Sequence, residues 1–185
     1  MPEPWPVIHS RPGPSYRIFS LRIDTAQSPR SGKKHDFHII DSPDWVNIIP
    51  LTHDNQVVMV KQFRHGTKEI TLEIPGGMVE KGDTPEETAA REFLEETGYR
   101  AEELSLLGTV HPNPAIFNNR CFTYLARNLQ KVNGGEFDET EDIEVVLFPL
   151  KQIPALIHDG TITHSLVVTA FWWYFADKID CSQLP

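Results

Sequence analysis

The chain has 185 residues with a net charge of −9, 39% of them hydrophobic and 23% charged. That composition suits one well-buried soluble domain and leaves little room for two. No apolar run approaches the roughly 20 residues that a membrane helix needs, and the acidic balance argues against a broad nucleic-acid surface, which needs basic patches to neutralise phosphate.

Met1-Pro2-Glu3-Pro4-Trp5-Pro6 lacks the basic start and apolar stretch of a secretory signal. Two cysteines, Cys121 and Cys181, make no disulfide framework, so a reducing, cytoplasmic setting is expected. Residues 1 to 14 carry several prolines and are predicted loose or extended. Alternating apolar residues predict strands over Tyr16 to Asp24 and Phe37 to Asp41, joined by the polar stretch Ser28 to Lys34, as an N-terminal antiparallel meander. Trp45 to Leu51 and Gln56 to Phe63 are predicted to form a second hairpin through the turn Thr52-His53-Asp54-Asn55.

A short strand at Ile70 to Ile74 leads into a glycine loop. The next helix announces its own limits. Thr84 is a good N-cap, Pro85 fits the first helical position, Glu87 completes a capping box, and Gly98 supplies a left-handed stop. Further strands are predicted at Leu104 to Val110, Cys121 to Ala126 and Ile143 to Pro149, separated by the loops His111 to Asn119 and Asn133 to Asp142. Helices near Ile153 to His158 and Leu166 to Ala176 follow. Cys121 reads as a small core residue. Mixed strands with one helix between them and a helical end fit a sheet sandwiched between helices.

The chemistry is concentrated in residues 76 to 99. At about 100° per residue, Glu92, Glu95 and Glu96 fall within an arc of roughly 100°, with Ala90, Phe93, Leu94 and Thr97 on the other side. Three carboxylates this close repel one another, and a hard cation such as Mg2+ or Mn2+ relieves the conflict through oxygen ligation. Such a metal also supplies the positive charge that an acidic chain lacks for holding phosphate. A glutamate-rich helix alone is more often a solvated face, so the weight rests on the whole string.

That string resembles the Nudix box, with Gly77, Asp83, Arg91, Glu92, Phe93, Glu95, Glu96, Gly98 and Tyr99 in its slots. One slot departs, since Asp83 stands where the family usually has Glu. The resemblance covers roughly Val46 to Asp177 and implies an α/β fold, the Nudix α/β/α sandwich with a mixed sheet, carrying the N-terminal antiparallel meander as an addition. It divides the chain into residues 1–45 (extension and meander), 46–177 (hydrolase domain) and 178–185 (tail). It further implies metal ligation by Glu92, Glu96 and the Gly76 carbonyl with Glu95 assisting. Arg91 would orient the glutamates, against the plainer reading of a helical ion pair with Glu95.

Flanking segments resemble the branch that cleaves ADP-ribose and other nucleoside diphosphate sugars. Lys61-Gln62-Phe63-Arg64 looks like its Gln-aromatic-Arg segment, and Leu72-Glu73-Ile74-Pro75-Gly76-Gly77 looks like its approach to the box. Pro114 matches its loop proline, although Asn118 or Asn119 replaces a glutamate that often follows. Arg64, Glu73 and Pro114 are therefore expected to bind substrate, Arg64 by bidentate contact with phosphate or sugar.

The acidic segment Glu136 to Asp142 is similar to the branch's loop that brings the general base, with Glu139 and Glu141 as candidates. Trp5, Trp45 and Phe63 offer aromatic faces, for which core packing is the plainer use. His53, His65, His111 and His164 show no metal spacing and read as surface or capping residues. The implied enzyme is a Mg2+- or Mn2+-dependent nucleoside diphosphate sugar pyrophosphatase working as a homodimer with exchanged meanders. The alternatives are a nucleoside triphosphate or RNA 5′-end pyrophosphohydrolase and a non-catalytic sugar-nucleotide-binding domain.

Overall fold

The computed structural model describes residues 1–132 and 142–176, which form two compact units. The first joins Met1–Asp44 to His111–Arg120. Its framework is an antiparallel meander of β1 (Val7–Ser15), β2 (Ser20–Gln27) and β3 (Lys34–Asp41), in that spatial order. Of the two states expected for residues 1–14, loose or extended, the chain takes the extended one from Val7 onward, in strand β1. Proline is tolerated in this position because β1 lies at a sheet edge, where a missing N–H breaks no ladder.

The predicted strand over Tyr16 to Asp24 is shifted as well. Tyr16 N donates to the Phe19 carbonyl at 2.8 Å, so those four residues form the turn and the strand begins at Ser20. The polar linker after β2 closes as expected, with Ser28 N donating to the Lys33 carbonyl at 2.8 Å and Gly32 at φ 70°.

The second unit runs through Trp45–Val110 and continues from Cys121. It contains β4 (Trp45–Pro50), β5 (Gln56–Arg64), β6 (Glu69–Glu73), β7 (Gly76–Met78), α1 (Pro85–Thr97), β8 (Tyr99–Val110), β9 (Cys121–Lys131), β10 (Ile143–Pro149), α2 (Ile153–His158) and α3 (Ser165–Ala176). Four strands form a mixed sheet in the order β7-β4-β9-β8, with β4 parallel to β9. Three form an antiparallel sheet, β10-β5-β6.

Strand β4 is buried on both faces. Val46 and Ile48 pack with Ala89 and Phe93 of α1 and with Tyr124 and Ala126 of β9. Ile49 packs the other way, with Leu125 and with Val167, Ala170 and Phe171 of α3. A strand clothed by helices on both sides has no polar face, which is why Val46 to Leu51 reads as a nearly continuous apolar run. Cys121 is buried, as its apolar surroundings in sequence led one to expect.

The predicted hairpin between β4 and β5 is corrected. The reversal exists, with Thr52 N donating to the Gln56 carbonyl at 2.9 Å and Asn55 at φ 56°. Beyond an isolated bridge, Leu51 to Val57, the two strands part into different sheets. Each finds better partners, β4 in β9 and β7, β5 in β10 and β6. The three-residue strand β7 was not anticipated, since two of its residues are glycine and glycine is a poor strand former.

Candidate active site

Helix α1 is built as its sequence demands. The Thr84 hydroxyl accepts from Glu87 N at 3.2 Å, Glu87 Oε2 accepts from Thr84 N at 2.8 Å, and Gly98 ends the helix at φ 71°. Thr88, Ala89, Phe93, Glu96 and Thr97 are its buried residues. This amends the two-faced reading in two places. Ala90 is exposed, and Glu96 lies on the buried side at 4% exposure instead of sharing an open face with Glu95.

The glycine strand β7 explains how two glutamates are held. Glu96 Oε2 accepts a hydrogen bond from Gly76 N at 3.1 Å. The Glu92 carboxylate lies against Gly77, where a Cβ would come within 2.4 Å of its Cδ. The missing side chain at position 77 is thus the space the carboxylate occupies. Gly76 faces a different restriction, because a Cβ there would meet the Val46 carbonyl oxygen at 2.4 Å. Position 76 needs glycine for strand packing, and position 77 needs it for the site.

Arg91 draws the remaining acid in. Its Nη1 donates to Glu95 Oε2 at 2.9 Å and sits 3.1 Å from Glu92 Oε1, while Asp83 and Glu80 stand at 3.9 and 3.8 Å. Burial lowers the guanidinium pKa, but the charges of Glu92 and Glu95 outweigh it and the net shift is upward. Arg91 thus makes the helical ion pair with Glu95 and also contacts Glu92. Its Nη2 is buried and makes no hydrogen bond among the described residues.

Among the described residues, no three His, Cys, Asp or Glu side chains converge closely enough as they stand to grip an ion. The donor set nevertheless fits a hard cation. Its groups are carboxylate oxygens, Glu92 and Glu96 are largely screened from solvent, and a cradle without a Cβ keeps the Glu92 oxygens in place.

On the neighbouring sheet, the expected substrate residues Arg64 and Glu73 meet each other. Arg64 Nε and Nη2 donate to the two Glu73 oxygens at 2.8 and 2.6 Å, and the Thr71 hydroxyl adds a bond of 2.6 Å. Burial pushes the Glu73 carboxyl up, but the Arg64 and Thr71 hydrogen bonds bring it below its ordinary value. Thr71 was missed in the sequence; a polar β-branched residue two places before a glutamate on a strand, hence on the same face, was the available signal.

Pro114 belongs to the other compact unit, exposed in a turn where Ile116 N and Phe117 N donate to the Asn113 carbonyl. Glu139 and Glu141 lie outside the described residues. Trp5 and Phe63 are 42% and 48% exposed, so neither takes the core role that was the plainer expectation. His164 does cap: its Nδ1 accepts from Leu166 N at 3.2 Å at the start of α3.

A carboxylate-bearing helix set against a glycine strand, within a sheet flanked by helices on both faces, defines a class, and comparison with known proteins agrees. The NUDIX domain model matches residues 42–171, and the chain belongs to that family. The ADP-ribose pyrophosphatase of Bacillus subtilis is 33% identical over 149 residues, covering 80% of each chain. The methanol dehydrogenase activator of Bacillus methanolicus is 32% identical over 157 residues, covering 84% of each. A crystal structure titled as that of an ADP compounds hydrolase superposes with a TM-score of 0.82 at 21% identity, over 95% of this chain and 96% of that one, and shows the shared fold.

Proposed function

We propose that this Nudix hydrolase cleaves the diphosphate bond of nucleoside diphosphate sugars, ADP-ribose and ADP- or GDP-hexoses, to a nucleoside monophosphate and a sugar phosphate. The observation that carries the proposal is the pairing of Glu92 with Gly77 and of Glu96 with the Gly76 amide, which keeps two carboxylates directed at the box strand. Relatives whose names specify ADP-ribose and GDP-mannose pyrophosphatases supply the substrate class.

In this reading Glu92, Glu96 and the Gly76 carbonyl hold Mg2+ or Mn2+, with Glu95 assisting. Bound there, the metal neutralises diphosphate charge and acidifies water. Arg91 bridges Glu92 and Glu95 through one nitrogen and restrains their rotamers. The Arg64 and Glu73 pair, braced by Thr71, presents a planar guanidinium that suits bidentate contact with phosphate or sugar oxygens. Pro114 is a further substrate-binding residue in this reading. Glu139 or Glu141 accepts the proton of the attacking water.

A homodimer that exchanges meanders is also proposed. It is supported by the large apolar side chains exposed in the meander unit: Val7, Ile8, Tyr16, Ile18 and Phe37.

A nucleotide panel with Mg2+ tests the substrate class. ADP-ribose and GDP-mannose are expected to yield inorganic phosphate only after a phosphatase is added. Release of pyrophosphate from nucleoside triphosphates, with sugar nucleotides left intact, would overturn the assignment.

A further inference from the structure

The loop His111–Arg120 closes the paired strands β8 and β9, yet it folds with the meander. Its anchorage runs almost residue by residue. Ile40 N donates to the Ile116 carbonyl at 2.7 Å, and the Ile40 carbonyl accepts from Asn118 N at 3.4 Å. The Asn118 amide donates to Asp41 Oδ1 at 2.7 Å and accepts from Ser42 N at 3.1 Å. Asn119, 2% exposed, donates to the Pro43 carbonyl at 2.9 Å. Arg120 donates from its N and Nη2 to the two Asp44 oxygens at 2.7 and 2.9 Å.

Behind this clamp stands a polar chain across all three meander strands. Arg22 Nε donates to Asp41 Oδ2 at 3.0 Å, Arg22 also pairs with Asp24, and Asp24 accepts from the Ser10 hydroxyl at 2.6 Å. Ser10 is on β1, Arg22 and Asp24 on β2, and Asp41 on β3.

We propose that Asp41 and Asp44 are positioning residues that fix the Pro114 loop to the meander, and that this clamp is why the loop carries amides at 118 and 119. The proposal rests on the sugar-nucleotide reading for the loop's role in binding. Donor and acceptor polarity decides the matter. An amide at 118 serves both partners, giving a proton to Asp41 and receiving one from Ser42. A carboxylate there would face the Asp41 carboxylate at hydrogen-bond distance without a shared proton, two like charges in contact. At 119 a carboxylate would direct oxygen at the Pro43 carbonyl in a place from which water is excluded. The clamp uses the amide N–H at both positions, and an acid removes it.

The test is Asn118→Asp alone and combined with Asp41→Asn, which swaps donor and acceptor while Arg22 keeps Asp24. With ADP-ribose and Mg2+, the single variant is expected to raise KM about tenfold with kcat within about twofold, the scale of one lost hydrogen bond. The double variant is expected to return KM to within about threefold. Amide hydrogen exchange at Ile40 and Asn118, read without substrate, is expected to accelerate at least tenfold in the single variant and recover in the double. Unchanged exchange in the single variant, or no recovery in the double, overturns the clamp. Faster exchange with an unchanged KM overturns its positioning role. If exchange follows the expected pattern while even the unmodified protein leaves ADP-ribose intact, the clamp stands and the sugar-nucleotide reading falls.

Discussion

Glycine at position 77 is required by distance and not by backbone angle, since a Cβ there would lie 2.4 Å from Glu92 Cδ. Gly77→Ala is therefore expected to push the Glu92 carboxylate out of place while leaving the strand paired. Misplacing such a group by about 1 Å costs on the order of a hundredfold in turnover, so kcat with Mg2+ should fall by about that factor at an unchanged melting temperature. Gly76→Ala meets backbone instead, the Val46 carbonyl, and is expected to lower the melting temperature. Reading kcat and melting temperature for both variants separates the two roles; an identical response from both would contradict them. The box pattern made these residues visible in sequence, because each slot is a local requirement. The burial of Glu96 was not visible, since it depends on which side of α1 the sheet packs against.

Strands β5 and β6 are joined by their ladder and by the Arg64 and Glu73 pair. The Glu73 carboxyl titrates below its ordinary value of 4.5, so its ionised form is the one the fold stabilises. That contribution is present above about pH 4.5 and is lost as pH falls through the lowered folded value. The melting temperature should accordingly decline from pH 6 to pH 3, and Glu73→Gln should flatten the decline; an equal slope in both proteins would remove the pair from the stability account. Most elements were legible because periodicity and caps are local. The failure was a decision between partners: residues 52–55 signalled a reversal but not that β4 and β5 would join different sheets, while the prolines of β1 left open whether that extended stretch would pair.

At the scale of the molecule, charge and apolar surface carry separate messages. The unit that contains the box has ten Lys or Arg against twenty-one Asp or Glu, so a phosphate substrate meets repulsion there unless a cation intervenes. Both units expose apolar side chains, and those of the meander unit include Val7, Ile8, Tyr16, Ile18 and Phe37. A scattering mass of twice the chain's 21.1 kDa is expected at micromolar concentration, and a monomer mass would refute the exchanged dimer. The pairing of Asn118 with Asp41 spans 77 positions, so nothing short-range in the sequence announced it. The Nudix box and the flanking Arg64 and Glu73 segments, by contrast, are each contiguous in sequence, and the family resemblance is legible there.

The most direct measurement is ADP-ribose turnover with Mg2+ by the unmodified protein and by Glu96→Gln, alongside their melting temperatures. The expected result is AMP and ribose 5-phosphate from the former and a loss of about a hundredfold or more in kcat for the latter, with both proteins folded. Near-normal turnover by folded Glu96→Gln would contradict the assignment of the α1 carboxylates to metal-dependent hydrolysis.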